Sequence, residues 1–309
     1  RYGTVTGVQT CALPIFSPEH GLRGALDENV PDTVDAITGL PVHSLYGERR
    51  SPTSQQLEGL DALVFDIQDI GCRFYTYVAT MANCMEAASK AGIRFIVLDR
   101  VNPIGGDRVE GPVYEGEPKF IAAHALPVRH GMTVGEIASM IRAERGWNVS
   151  LEIVKLRGWR RTMQFDETGL PWTNPSPNMR SLTAALLYPG LGLHESALSV
   201  GRGTDKPFEL CGAPYVDELW LAGRLNAMQL PGLRFVPIRF VPTSSTFKGE
   251  SCGGVSILVT DRNACRPVEF GMRLALELRK QYGAKFAIEK FGRSEEHTSE
   301  LQSQFRISY

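Results

Sequence analysis

The 309-residue sequence has no long hydrophobic run and no excess of charge of either sign. Its longest apolar stretches, at residues 62–65 and 95–98, are the length of a β-strand. They fall far below the roughly 18–20 residues that cross a bilayer, so we expect no transmembrane segment. The 33 basic and 34 acidic residues nearly cancel, whereas nucleic-acid-binding proteins usually carry a basic excess that neutralises phosphates. We therefore expect no nucleic-acid partner.

The sequence also lacks the motifs of the common metal and cofactor sites. The six cysteines are scattered singly, without the spacing of a zinc site, and the six histidines form no His-x-x-x-His pair. No Gly-x-Gly-x-x-Gly turn and no Walker loop is present. We therefore expect neither a metal nor another cofactor. The spacing leaves open one disulfide, between Cys252 and Cys265.

Neither end of the sequence shows helical or strand periodicity. Residues 1–15 (RYGTVTGVQTCALPI) lack an initiator Met, and residues 294–309 (SEEHTSELQSQFRISY) are polar. Both stretches resemble translated sequencing-adapter sequence, which occurs at the ends of gene fragments assembled from metagenomic reads. We interpret them as non-native and exclude them from the fold prediction. Any signal peptide or lipid anchor would then have been encoded upstream.

The first half of the remaining sequence predicts a parallel sheet covered by helices. Residues 60–70 and 93–99 are apolar runs typical of buried parallel strands. Between them, residues 77–91 have helical spacing and stop at Gly92, a natural C-cap. This order makes a right-handed βαβ unit. A capping box then predicts a helix over residues 133–145, followed by a strand at 149–156.

The second half predicts a smaller α+β domain. Its pattern indicates helices at residues 215–228 and 267–282 and strands at 234–240 and 254–260. The irregular, proline-rich residues 159–178 separate the two halves. We therefore predict an α/β catalytic domain at residues 16–180 and an α+β domain at 181–293.

Polar clusters follow three successive strands of the first half, at the sheet edge where parallel sheets bind ligands. The first follows a strand stub that ends at Phe16. The clusters contain Glu19, His20 and Arg23; then Asp66, Gln68, Asp69, Arg73 and Tyr75; then Asp99, Arg100 and Asn102, with Glu110 further along. Because the ends of neighbouring parallel strands converge, we expect these side chains to share one site.

Most of these residues also have a structural interpretation. A lone aspartate after a strand is more often a helix cap, and Asp99 with Arg100 is more often an ion pair. Glu136 is expected to belong to its capping box. Glu19 is different, because it precedes His20 on a glycine-rich turn with no helix to cap. A carboxylate beside an imidazole in that setting favours a catalytic role.

The second half offers two more candidate segments. Residues 174–179 (NPSPNM) carry Ser176 and Asn178, and residues 195–204 (ESALSVGRGT) carry Glu195 and Arg202 between glycines that let a ligand approach the backbone. Taken singly, a linker and a surface turn are the alternatives. Together with His130, the candidates have the composition of a carbohydrate site.

The motifs themselves resemble a known family. They are FSPEHGLRG, TGLPVHSLYG, DALVFDIQDIGCRFYTYVATM, IVLDRVNPIGG with VEGP, RHGMTVGE, PSPNM and LSVGRGTDKPFELCGAP. Together they are similar to the NamZ-like family of bacterial exo-β-N-acetylmuramidases, over residues 16 to about 286. Here Val101 stands where the family usually has proline, and Cys72 where a small residue is usual.

The resemblance implies a fold, a reaction and a location. It implies a Rossmann-like N-terminal domain, a smaller C-terminal domain and a cleft between them. It implies removal of N-acetylmuramic acid from the non-reducing ends of peptidoglycan glycan fragments. The full-length parent is then expected to be periplasmic, extracellular or a membrane-anchored lipoprotein.

Glycoside hydrolysis requires a proton donor and a second group on the opposite face of the sugar. We predict Glu19 as the donor, tuned and positioned by His20 and Arg23. Glu110 is predicted as the second catalytic group, while Asp66, Asp69, Glu195 and the substrate's own acetamido oxygen remain alternatives. The lactyl carboxylate of the substrate calls for a cation, for which Arg202, Arg73 and Arg100 qualify.

The remaining candidates are predicted to bind substrate. They are Arg23, Asp66, Gln68, Asp69, Arg73, Tyr75, Asp99, Arg100, Asn102, His130, Ser176, Asn178, Glu195 and Arg202. Two other functions fit the same cleft. One is a non-catalytic wall-sugar-binding protein, and the other is a different hydrolase such as an amidase or phosphatase.

Overall fold

A computed structural model of the chain describes residues 14–24 and 31–287. Most of the two terminal stretches interpreted as adapter sequence lies outside these described residues. The N-terminal half contains β1 (Ile15–Ser17), β2 (Thr33–Val34), β3 (Pro41–Ser44), α1 (Ser54–Leu57), β4 (Ala62–Phe65), α2 (Tyr77–Ala91), β5 (Arg94–Leu98), β6 (Glu110–Val113), β7 (Pro127–Arg129), α3 (Val134–Arg145) and β8 (Leu151–Val154). The C-terminal half contains α4 (Leu182–Leu191), β9 (Leu210–Ala213), α5 (Glu218–Ala227), β10 (Leu233–Phe240), β11 (Cys252–Val259) and α6 (Pro267–Tyr282).

The predicted βαβ unit is present. β4 and β5 are parallel neighbours connected by α2, and β8 pairs in parallel on the far side of β5. Alternate strand residues such as Leu63 and Phe95 are buried in one core with Met81 of α2 and Ile137 of α3. The C-cap of α2 is Gly92, whose φ of 70° lies in the left-handed region that glycine adopts without steric cost. The α/β class of this half is therefore confirmed.

The expected parallel sheet is divided in two. β1 pairs in parallel with β3, and β2 pairs antiparallel on the other side of β3. Among the residues that the structure describes, no ladder joins β1 to β4. A cavity of about 810 Å³ lies between these strands and is lined largely by apolar side chains, including Leu45, Leu63 and Phe65.

The C-terminal half is an antiparallel sheet packed against helices. The strand order is β10-β11-β9. Helices α4 and α6 approach so closely that a β-carbon on Gly190 would lie 2.0 Å from the carbonyl oxygen of Pro267. The predicted strands at β10 and β11 and the helix at α6 are confirmed, whereas α4 and β9 were not predicted.

One hydrophobic core joins the two halves. It includes Ile70 and Phe74 from the first half together with Tyr188, Phe208 and Phe270 from the second. Residues on both sides of position 180 share this core. The packing therefore does not test the domain boundary predicted there, which stays a prediction.

Two sequence predictions concern membranes and disulfides. Within the described ranges, no helix is long and apolar enough to span a bilayer. Cys252 and Cys265 are both free, buried thiols, so the disulfide that their spacing left open does not form.

Candidate active site

Glu19 lies on a tight turn that directly follows β1. The carbonyl of Pro18 accepts the N–H of Gly21 at 3.3 Å. His20 has a φ of 76°, a left-handed conformation that costs a residue with a β-carbon about 1–2 kcal/mol. Strain of this kind is typically retained at sites where function requires a fixed geometry. The turn thus presents Glu19 in a defined orientation at the end of a parallel strand.

The beginning of α2 holds Glu19 in place. The hydroxyl of Thr76 donates to Glu19 Oε2 at 2.8 Å, and His20 Nε2 lies 3.9 Å from Oε1. The hydroxyl of Tyr77 lies 3.3 Å from the carbonyl oxygen of Glu19 and 2.5 Å from that of Pro175. Burial, with a contribution from the Glu19 charge, raises the pKa of Tyr77, so this hydroxyl is a donor at neutral pH. The Glu19 side chain is 17% exposed, which leaves it accessible on one side.

A buried polar cluster lies at the end of β4. Asp69 Oδ2 accepts the N–H of Gly71 at 2.7 Å and lies 3.3 Å from His130 Nε2. His130 Nδ1 accepts the N–H of Met132 at 3.2 Å, which places the proton of the neutral imidazole on Nε2, facing Asp69. Asp69 Oδ1 has no hydrogen-bond partner within the described part of the chain. This oxygen can therefore accept a hydrogen bond from a water or a bound ligand.

Aromatic rings connect the Glu19 turn to the loop at residues 195–204, which carries Arg202. The centroids of Tyr77 and Tyr75 are 4.9 Å apart, and those of Tyr75 and Tyr188 are 5.9 Å apart. Tyr188 contacts Phe208 at 4.8 Å, and the Arg202 guanidinium lies 5.4 Å from the Phe208 ring. Burial raises the pKa of Tyr75 well above its usual value, so Tyr75 is also a hydroxyl donor. The two halves therefore contribute to one polar and aromatic region.

The 174–179 segment packs directly on the Glu19 turn. A β-carbon on Gly24 would lie 3.2 Å from the carbonyl oxygen of Asn174, which explains the need for glycine there. Ser176 and Asn178 are both buried. The structure thus brings this segment to the first cluster, although the sequence alone would also have allowed a linker.

Glu195 and Arg202 form an ion pair that is supported by a strained loop. Arg202 NH2 lies 3.1 Å from Glu195 Oε1, and both side chains are largely buried. The hydroxyl of Thr246 donates to the Glu195 carbonyl at 2.6 Å. On either side of Thr246, Ser245 and Phe247 have left-handed φ values of 64° and 62°. Strain therefore concentrates here as it does at His20.

Glu110, predicted as the second catalytic group, has a structural role in this fold. Its Oε1 accepts from Arg129 NH1 at 2.7 Å, and Arg129 is only 1% exposed. Its Oε2 accepts the N–H of Val268 at 3.2 Å, at the beginning of α6. Glu110 thus neutralises a buried cation and caps a helix, and both of its oxygens are occupied.

Asp99 is also structural. Its Oδ1 accepts the N–H of Gly135 at 2.8 Å, and its Oδ2 accepts the hydroxyl of Thr133 at 2.9 Å. Both partners belong to the beginning of α3. Asp99 therefore caps this helix from a neighbouring strand end, and its predicted contact with substrate stays a prediction.

Three further predicted substrate ligands are engaged with the main chain. Gln68 and Asn102 bind backbone groups of adjacent loops at 2.6–3.2 Å. Arg73 is buried and donates to two carbonyl oxygens at 2.9 and 2.7 Å. These side chains shape the loops around the site, and their predicted contact with substrate stays a prediction.

Asp66, Arg100 and Arg23 line the cavity between β1 and β4. Arg100 Nε donates to Asp66 Oδ1 at 2.7 Å, in an ion pair whose side chains are 41% and 48% exposed. Arg23 pairs with Asp35 at 3.0 Å. The ion pair considered for Asp99 and Arg100 is therefore made by Asp66 instead.

Three contributors were missed at the level of sequence. Thr76 and Tyr77 stand at the end of the second polar cluster, and their position at a helix start was the available signal. Arg180 connects the 174–179 segment to the Arg202 loop, and nothing in its sequence context indicated this. In the described ranges, no group of three or more His, Cys, Asp or Glu side chains is placed to hold a metal.

Comparison with known proteins gives consistent matches along the chain. The N-terminal family model of exo-β-N-acetylmuramidase NamZ matches residues 8–183, and the C-terminal model matches residues 186–306. The peptidoglycan β-N-acetylmuramidase NamZ of Bacillus subtilis (strain 168) is 45% identical over 276 residues, which covers 88% of this chain and 67% of the relative.

Two solved structures share the fold. Both are DUF1343 family proteins from Bacteroides fragilis NCTC 9343. One is 36% identical with a TM-score of 0.85, covering 95% of this chain and 78% of that protein. The other is 25% identical with a TM-score of 0.71, covering 94% and 78%.

Proposed function

The chain belongs to the NamZ family of exo-β-N-acetylmuramidases, and from this premise we propose that it is a glycoside hydrolase. Its substrate is peptidoglycan-derived saccharide, from whose non-reducing ends it releases N-acetylmuramic acid. One observation carries the proposal: a strained turn at a strand end presents a partly exposed carboxylate, Glu19, beside an imidazole. A carboxyl group held in a fixed orientation and accessible from one side can act as proton donor to a leaving oxygen.

Glu19 acts as the general acid. The Thr76 hydroxyl donates to Oε2, so that oxygen serves as an acceptor and Oε1 is left to carry the transferred proton. Oε1 is also the oxygen that faces His20. His20 therefore acts as a positioning residue that orients the carboxyl group through the shape of the turn.

Asp69 is the best-placed second carboxylate. Each of the alternatives already has an arginine partner, because Asp66 pairs with Arg100 and Glu195 with Arg202. Asp69 instead has one oxygen held by a backbone N–H, while its other oxygen is unpartnered in the part of the chain that is described. It could activate the water or orient the substrate's acetamido group, and both roles complete the reaction on the face opposite the acid.

The experiment uses leaving groups of different basicity. Glu19→Gln is expected to lower kcat by about 10²–10⁴-fold on a wall-derived disaccharide, whose leaving alcohol needs a proton. On an aryl N-acetylmuramide with an acidic phenol, the loss should be much smaller. Asp69→Asn should lower kcat on both substrates, because the second group acts whatever the leaving group.

Asp66→Asn is the matched control, since it removes a nearby carboxylate that is already in an exposed ion pair. Its kcat should stay within a few-fold of the wild type. Saccharide binding without release of muramic acid by the wild type would contradict the hydrolase proposal. Activity that appears only with added metal would point to a different hydrolase.

We also propose that the full-length parent acts outside the cytoplasm, where the cell-wall glycan lies. Fractionation of a host that carries the complete gene would test this location. Recovery of the protein in the cytoplasmic fraction alone would contradict it.

A further inference from the structure

A muramidase must distinguish its substrate from N-acetylglucosamine by the lactyl carboxylate. That group is an anion, and arginine is the residue best suited to bind a carboxylate with two parallel hydrogen bonds. On the proposed function, an arginine of this chain supplies this contact, and the surroundings of each arginine decide which one.

The three arginines that the sequence favours are already engaged. Arg202 is paired with Glu195 at 3.1 Å, and Arg100 is paired with Asp66 at 2.7 Å. Arg73 is buried and donates to backbone carbonyls. A substrate carboxylate at Arg202 or Arg100 would have to compete with Glu195 or Asp66 for the guanidinium. At Arg73 it would have to reach a buried guanidinium.

Arg180 has none of these restrictions. Its Nε donates to the carbonyl oxygen of Pro177 at 2.9 Å, and its NH1 donates to that of Thr204 at 3.4 Å. Both acceptors are neutral, and no carboxylate lies within ion-pair distance of Arg180 in the described ranges. The residue is exposed. Since a guanidinium has five N–H donors, several remain for a ligand.

One short loop connects Arg180 to the turn that carries the proposed acid. The Tyr77 hydroxyl bridges the carbonyls of Glu19 and Pro175. Pro177, which accepts from Arg180, follows only two residues later, a chain reach of about 7 Å. The guanidinium therefore lies at the far end of the short loop that packs on the Glu19 turn.

The two carbonyl contacts also fix the guanidinium between two predicted substrate segments. One acceptor belongs to the 174–179 loop and the other to the Arg202 loop. Ser181, the next residue, accepts the N–H of Ala184 and so ends the loop at the first turn of α4. Less side-chain entropy is then lost when a carboxylate binds, because the arginine is already oriented.

We propose that Arg180 binds the lactyl carboxylate of N-acetylmuramic acid and thereby selects this sugar over N-acetylglucosamine. Arg180 is a specificity-determining residue that touches substrate but takes no part in proton transfer. Glu19 and Arg180 contact opposite ends of the same bound sugar.

The test compares one charged and one uncharged substrate in each variant. Arg180→Gln and Arg180→Lys are assayed on an aryl N-acetylmuramide and on its lactyl methyl ester. Arg180→Gln should lower kcat/KM on the acid by about 10- to 100-fold, the range for one charge-assisted hydrogen-bonded pair. On the ester, its kcat/KM should match the wild type. Arg180→Lys should keep part of the preference, because it retains the charge without the fork.

Arg234→Gln is the matched control, because Arg234 is also exposed and donates to a backbone carbonyl, at 2.8 Å. It should leave the acid-to-ester ratio unchanged. The ester activity also reports folding in each variant, so a misfolded Arg180 variant would lose both activities. An unchanged acid-to-ester ratio in Arg180→Gln would overturn the inference while leaving the hydrolase proposal intact. A wild type that cleaves neither substrate would instead overturn the proposed function.

Discussion

Replacing Glu110 should destabilise the protein without removing its chemistry. Arg129 is 1% exposed and pairs with Glu110 at 2.7 Å, so Glu110→Gln would leave a buried cation without its counter-charge. Breaking a buried ion pair from one side typically costs about 3–5 kcal/mol. We expect the low end of this range, since Arg129 keeps its bond to the Ile104 carbonyl and the glutamine oxygen can still accept from Val268. At about 2–4 °C per kcal/mol for a protein of this size, Tm should fall by roughly 10 °C.

Thermal unfolding followed by circular dichroism would measure this shift, with Asp66→Asn as the control. The Asp66 pair is nearly half exposed, and such pairs contribute at most about 1 kcal/mol. Activity should be assayed well below both transition temperatures, where Glu110→Gln should retain a kcat within a few-fold of the wild type. A Tm equal to that of the wild type together with a kcat reduced about 100-fold would refute the structural assignment and restore Glu110 as a catalytic residue.

Three further outcomes follow from local geometry. Hydrogen bonds from the Ser44 N–H, His43 and Arg49, together with the Arg49 charge, lower the pKa of Asp32 to about 2. Its ionised form therefore stabilises the fold above pH about 4, and this contribution is lost as pH falls toward 2. Urea unfolding should show a smaller loss of stability on acidification in Asp32→Asn, and an equal loss would contradict this. In the same assay, His20→Gly should be about 1 kcal/mol more stable than His20→Ala, because only glycine adopts the left-handed φ without strain. Equal stabilities of the two variants would contradict strain at this position. Gly190→Ala should lower Tm, because the added β-carbon would force α4 away from α6. Gly223→Ala is the control and should raise Tm slightly, because alanine favours the helix and the space beside Gly223 in α5 is open. Equal Tm shifts in the two variants would show that the contact between α4 and α6 is not tight.

The sequence predicted the helices and strands whose ends and buried faces are set by residues near them in the chain. α3 begins at a capping box on Thr133 and ends at Gly146, and both signals are visible in the sequence. α4 was missed because it is buried on nearly every side and contains Pro189, so it has no polar face to give a helical period. The division between β1 and β4 depends on strand pairing, which no local pattern specifies.

Site residues were predictable as clusters but not as individual roles. The strand-end positions of Glu19 and Asp69 predict that both lie in one region. The same argument also selected Asp99 and Glu110, whose roles depend on partners far along the chain. Asp99 caps a helix whose N-cap, Thr133, lies 34 residues later, and Glu110 binds the N–H of a residue 158 positions away. Only the folded chain shows that these carboxylates are occupied.

Backbone strain gives evidence for the site that depends neither on motifs nor on relatives. Among the described residues, left-handed conformations outside glycine occur at His20, Phe208, Gln229, Ser245 and Phe247. All except Gln229 lie at the Glu19 turn or beside the Glu195–Arg202 pair, and strain of this kind costs about 1–3 kcal/mol per residue. A fold selected only for stability would relieve that strain with glycine. Its concentration at two places joined by the 174–179 loop favours one binding site between them, with the proton donor at one end and the Arg180 cation at the other.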